Sequence, residues 1–172
     1  MLTNTTGTAN TAIGYAALDA NTTAHNNTAI GYNCLTSNTT GTSNTAIGSE
    51  TLDANTTGIA NVAVGKAALE SNSTASNNTA VGFESLKANT TGTRNVAIGS
   101  LALDRNTTTD DNTAVGYNSL GANLTGHSNT ALGSESLDSN SSGHSNVALG
   151  RLALEANTTA SNNTAVGTNS SR

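Results

Sequence analysis

The chain has 172 residues, with 17 glycines and no proline, charged residues at 10%, aromatics at 2% and a formal net charge of −5. Six basic residues cannot build the positive stripe that nucleic-acid binding requires, and no apolar run approaches the roughly 20 residues of a membrane-spanning helix. Low hydrophobicity with abundant Asn, Thr, Ser and Gly would suit a disordered polymer, but disorder does not demand a strict period, and this chain has one.

The phrase NTAIGY at Asn10 returns at Asn27. It continues as NTAIGS at Asn44, NVAVGK at Asn61, NTAVGF at Asn78 and NVAIGS at Asn95, then NTAVGY at Asn112, NTALGS at Asn129, NVALGR at Asn146 and NTAVGT at Asn163. Each copy begins 17 residues after the last, without insertion or deletion. Helix-pair repeats need about 33 to 47 residues, so this period predicts an all-β chain. The expected fold is a β-solenoid or β-roll of ten 17-residue coils, forming one repeat domain over residues 1–172. Coils stacked at strand spacing, about 4.8 Å apart, make a short rod.

Within a copy, the first Asn column is followed by a three-residue strand. Its middle is the Ala column: Ala12, Ala29, Ala46, Ala63, Ala80, Ala97, Ala114, Ala131, Ala148 and Ala165. Alternation puts the flanking Thr/Val and Ile/Val/Leu columns on the opposite face. Because Thr is replaced by Val62, Val96 and Val147, the expectation is that this flanking face points inward. The Ala column then points outward, and its freedom from polar substitution predicts a close-packed contact with another chain. A bend follows at the Gly column: Gly14, Gly31, Gly48, Gly65, Gly82, Gly99, Gly116, Gly133, Gly150 and Gly167. Only glycine takes left-handed geometry without penalty. A Leu column from Leu18 to Leu154 comes next, with Met1 one repeat earlier in the same register. A second Asn column from Asn4 to Asn157 closes the copy within N-T-T-G. Stacked asparagines of both columns should bond along the axis and fix coil register, and they tolerate left-handed corners.

Further columns carry candidate chemistry. Asp19, Asp53, Glu70, Asp104, Asp138 and Glu155 share one position, interrupted by Lys87 and Gly121. Calcium could bridge neighbouring carboxylates, but the interruptions favour a solvated face. His25, His127 and His144 share another position, the last two on adjacent coils, and lack a third ligand at fixed spacing, so a surface turn is the simpler reading. Tyr15, Tyr32, Phe83 and Tyr117 alternate with Lys66 and Arg151 in an exposed or interface column. The N-x-S/T patterns beginning at each second-column Asn are a by-product of the repeat. Cys34 has no internal disulfide partner. No nucleophile stands beside a base and no phosphate loop is present. The reading is therefore a non-enzymatic chain with no cofactor and no metal.

The phrase NTAIGYxAL…NTTG resembles the repeats of phage tail-fibre and trimeric adhesin proteins, and more distantly the N-S-V-A-I-G repeat of the trimeric autotransporter head, a left-handed β-roll. All ten copies carry the resemblance. It implies a homotrimer forming a rigid extracellular rod or lying on a virion surface, able to present a contact to a cell-surface receptor or glycan. The chain departs from the autotransporter pattern in its 17-residue period and in N-T-A for N-S-V-A. Terminal coils without polar caps would expose open strand edges and predict head-to-tail stacking into a filament. The alternative reading is an ice-binding solenoid displaying the threonine columns Thr22–Thr158 and Thr23–Thr159, interrupted by Leu124, Ser73, Ser141 and Ser142.

Overall fold

A computed structural model describes residues 3–171; Met1, assigned above to the Leu column, lies outside them. The described residues contain ten three-residue strands and no helix. These are β1 (Thr11–Ile13), β2 (Thr28–Ile30), β3 (Thr45–Ile47), β4 (Val62–Val64), β5 (Thr79–Val81), β6 (Val96–Ile98), β7 (Thr113–Val115), β8 (Thr130–Leu132), β9 (Val147–Leu149) and β10 (Thr164–Val166). They form one parallel sheet in sequence order. Thr11 pairs with Thr28, Ala12 with Ala29 and Ile13 with Ile30, and the same offset of one repeat holds through β9 and β10. The chain is a parallel β-solenoid, and its nine inter-strand steps span about 43 Å at strand spacing.

Axial pairing continues where the backbone is no longer a strand. The amide of Thr11 donates to the Asn27 carbonyl at 2.8 Å, that of Leu18 to Cys34 at 3.0 Å, and that of Asn33 back to Tyr15 at 3.0 Å. The same bonds recur one coil later, as Thr28 to Asn44, Leu35 to Thr51 and Glu50 to Tyr32. Nearly every side of the coil is therefore tied to its neighbour, and the backbone's obligatory polar groups are satisfied without wide sheets.

The core is narrow. Leu18, Leu35, Leu52, Leu69, Leu86, Leu103, Leu120 and Leu137 are completely buried. They cluster with the Ala column and with the small residue preceding each leucine, such as Ala17, Cys34 and Ala68. This reverses the expected strand orientation. Ala29, Ala46, Ala63, Ala80, Ala97, Ala114, Ala131 and Ala148 are fully buried, with Ala165 nearly so and Ala12 partly buried against the same cluster. The flanking residues point outward, with Ile47, Ile98 and Leu132 about two-fifths exposed. A leucine and two asparagines already fill each coil, so a methyl is the side chain that the strand wall has room for. The alanines therefore cannot be the contact with another chain.

Four residues per coil take positive φ. The Gly column runs from 121° to 145°, outside the left-handed well that other residues visit. The remaining three are not glycine. They are the Leu column, from Leu18 at 55° to Leu154 at 52°; the position two before each leucine, such as Ala67 at 56°; and the residue before each first-column Asn, such as Asn77 at 62°. Neither asparagine column is among them, so these asparagines are retained for their amides and not for corner geometry. Each left-handed L-residue costs roughly 1–2 kcal/mol. A buried leucine recovers roughly that by leaving water.

The Gly column also stacks tightly. A Cβ built on Gly99 would strike the backbone carbonyl of Gly116, whereas one on Gly121, which lacks a positive φ, meets mainly the end of the Asn118 side chain. Gly99→Ala should therefore destabilise the fold by several kcal/mol or prevent folding, since main chain cannot yield. Gly121→Ala should cost no more than about 1 kcal/mol, within the range of an adaptable site. Parallel thermal melts of the two variants check the contrast.

Candidate functional surfaces

The two asparagine columns form ladders of different design. In the first, Asn27 Oδ1 accepts the backbone N–H of Asn44 at 2.9 Å, while its Nδ2 donates to the Gly41 carbonyl at 2.8 Å. Asn44 repeats this with Asn61 and Gly58, and Asn78 with Asn95 and Gly92. In the second, amide bonds to amide: Asn55 Nδ2 donates to Asn38 Oδ1 at 2.9 Å and Asn72 Nδ2 to Asn55 Oδ1 at 2.9 Å. Each also reaches the carbonyl three residues on, as Asn55 does to Gly58 at 3.1 Å. Interior members of both columns are wholly buried. In the folded chain this burial leaves interior N-x-S/T asparagines no room for a glycan, which on Asn55 would displace Nδ2 from its acceptors, whereas Asn4 and Asn157 at the end coils are not buried.

The small column beside the leucines is also satisfied. The hydroxyls of Thr51 and Ser136 donate to the carbonyls of Gly65 and Gly133 at 2.7 and 2.8 Å. Cys34 donates Sγ–H to the Ala46 carbonyl at 3.1 Å. Burial, above all, raises its thiol to about 11, with Asp53 adding to the rise.

On the outside, charges pair across coils. Lys87 sits in the acidic column and contacts Glu70 at 3.6 Å and Glu84 at 2.8 Å, so the interruption of the ladder supplies its counter-charge. Asp138 accepts Asn118 Nδ2 at 2.7 Å; desolvation, then Glu135 and Glu155, raise its pKa. Asp104 is also raised, chiefly by desolvation, and its Oδ1 is buried without a hydrogen-bond partner. Arg94 reaches Asp111 at 2.7 Å and Asp110 at 3.4 Å on the next coil; its hydrogen bond lowers the Asp111 pKa.

Two ring pairs were foreshadowed by column membership. Tyr15 and Tyr32 stack at 5.4 Å and 14°, and His127 and His144 at 4.9 Å and 1°. Phe83 and Tyr117 stand apart from the tyrosine pair, separated from it and from each other by intervening coils.

The hydroxyls of the first threonine in N-T-T mostly serve the axis. Thr39 donates to the Thr56 carbonyl at 3.1 Å, Thr56 to Ser73 at 3.0 Å and Thr90 to Thr107 at 3.0 Å. The second threonines, such as Thr40, Thr57 and Thr91, are exposed.

The surface that column reading missed is the outward face of the sheet. Twenty strand positions point out, all Thr, Val, Ile or Leu. The chain's charges all lie in other columns. The signal was present in the uninterrupted apolar character of the Ile/Val/Leu column, but it was assigned to the interior. Compared with protein families, curated proteins and solved structures, the chain finds no match.

Asn78→Ala strands the Asn95 N–H in a buried site, while the Gly92 carbonyl keeps its second donor, Asn89 Nδ2, at 2.9 Å. At about 1–3 kcal/mol for the one unsatisfied donor, it should lower stability by at least about 1 kcal/mol in urea unfolding. Asn78→Asp should not rescue it, because its carboxylate regains the Asn95 N–H only as an unpaired charge in a fully buried site. The raised Cys34 thiol should resist a thiol-specific reagent at pH 8 in the folded chain and react at once in denaturant, because the thiolate is the reactive form. A colorimetric thiol assay checks this.

Proposed function

We propose that the chain is a non-enzymatic, rod-forming structural segment that assembles with copies of itself through the outward face of its sheet. The observation that carries this reading is that uncharged face: Thr, Val, Ile and Leu on every outward position of β1 to β10, with Ile98, Leu132 and Leu149 about two-fifths exposed. Exposed aliphatic side chains gathered on one face mark a site of contact. The strands repeat at one fixed register, so a second copy meets the same pattern at every coil and contacts add along the length.

Size bears on how many copies meet. A face about 43 Å long and three residues wide gives roughly 430 Å² of flat area, below the roughly 800 Å² per partner of a standard interface. A closed ring gives each chain two neighbours and two distinct contact patches, of which the sheet face can supply one. The neighbouring Tyr15, Tyr32, Phe83 and Tyr117 widen the strip. The homotrimeric rod implied by the resemblance to tail-fibre and adhesin repeats would draw its second patch from that neighbouring column. On this reading the site is extracellular or on a virion surface, and the variable outer columns would face a receptor or glycan.

The ice-binding alternative has less behind it. The first-threonine hydroxyls it would display donate to carbonyls of the next coil, which leaves one threonine column for an ice lattice.

Sedimentation equilibrium at micromolar concentration tests the proposal. The wild-type chain should sediment as an oligomer, and Ile98→Lys with Leu132→Lys should yield a monomer with unchanged far-ultraviolet circular dichroism, since both side chains point away from the core. A wild-type monomer overturns self-association. Thermal hysteresis from that monomer would favour the ice reading instead.

A further inference from the structure

We propose that His127 and His144 form a two-histidine site for a first-row transition-metal ion on the outside of the rod. The pair occupies equivalent positions on adjacent coils, so the solenoid places one imidazole above the other. The rings are parallel within 1° with centroids 4.9 Å apart. In each, Nδ1 lies beside the hydroxyl of the next residue, Ser128 at 3.3 Å and Ser145 at 3.4 Å. This shared contact turns both Nε2 atoms the same way. With Nδ1–H donating to serine, each Nε2 keeps the lone pair that a metal requires.

The spacing of the pair suits chelation once the rings converge. A metal–nitrogen bond of about 2.0–2.1 Å holds two nitrogens on one ion roughly 3–4 Å apart. The 4.9 Å separates ring centroids and the rings are parallel, so both imidazoles must tilt toward each other for their in-plane Nε2 lone pairs to meet on one ion, while the hydrogen-bonded backbone beneath holds their spacing. Third ligands from the protein are not at hand. Asp110, one coil before, accepts the Thr93 N–H at 2.6 Å and pairs with Arg94. Ser161, one coil after, accepts the His144 N–H at 3.0 Å. No group of three His, Cys, Asp or Glu among the described residues could hold a metal, so water would complete the coordination. An open two-imidazole site favours Cu(II), which heads the divalent affinity order. His25 lacks these features: its Nδ1 accepts the Thr8 N–H at 2.9 Å, and the equivalent residue on the next coil is Thr42.

Titration of the purified chain with Cu(II) at neutral pH, followed by calorimetry and electron paramagnetic resonance, tests the site. One ion per chain should bind with hyperfine splitting from two imidazole nitrogens. His127→Ala and His144→Ala should each weaken binding at least tenfold and abolish the two-nitrogen signature, and His25→Ala should leave both unchanged. Both pair members are on the surface, so circular dichroism should match wild type throughout. Retention of the two-nitrogen signal in either single variant, or its loss in the His25 variant, would overturn the assignment.

Discussion

An asparagine amide carries a donor and an acceptor on one short planar head, and this fold depends on that pairing being used along an axis. In the first column, each Oδ1 fixes the backbone N–H of the next coil and each Nδ2 fixes a carbonyl of the corner beside it. In the second, amides bond to one another directly. A buried amide without partners costs several times what a satisfied one contributes, so a coil displaced by one residue would leave two asparagines unsatisfied. The ladders therefore set register as well as supplying attraction. This explains how strands of three residues can hold a sheet of ten without slipping.

The same constraint explains why the backbone bears so many left-handed residues. A coil of 17 residues around one leucine and a few methyls must turn sharply, and it turns at four positions. Only one of these is reliably glycine. At that one, the φ values lie where other residues are excluded, and the next coil's carbonyl occupies the space of a Cβ. At the others the milder left-handed well suffices, and Asn, Ser, Ala, Glu and even Leu occupy it. The strain is offset by neighbours that repeat the same bend and share its hydrogen bonds, which is why single coils of this kind are not expected alone.

Much of this was legible in the spacing. A strict period with paired Asn, Gly and Leu columns leaves few architectures, and the ladders follow from stacking like on like. The orientation of the strand was not legible by alternation, which has two phases and no preference between them. Substitution of Val for Thr suggested an inward face, yet the tolerance of the two flanking columns, one for Thr or Val and the other for Ile, Val or Leu, belongs to a surface free to vary in size. The invariance of alanine was the better guide: a position that accepts neither a larger nor a polar residue is confined. Likewise, the left-handed leucines carry no compositional mark, because leucine is selected there for burial, and the corner is imposed by tertiary closure. The histidine pair could be placed on adjacent coils from sequence, but the parallel rings and the serine contacts that orient them required coordinates.

These points together separate two kinds of position. Inside, the Asn, Ala, Leu and Gly columns are locked by a geometry that recurs at every coil, so a change at one coil disturbs its neighbours above and below. Outside, the columns bearing Tyr15, Lys66, Phe83, His127 and Arg151 change identity from coil to coil without altering the backbone beneath. A side chain placed there acquires fixed neighbours one coil spacing away on either side, whatever their chemistry. Adjacent acids and bases become ion pairs, adjacent tyrosines a stack and adjacent histidines a pair of aligned donors. The sheet face keeps an uncharged character from β1 to β10, as the exposed second-threonine column of N-T-T also does. Part of that constancy is the strand's own preference for β-branched side chains, which the coil imposes even on positions that point away from it, and the self-assembly proposed above would add a constraint of contact to it.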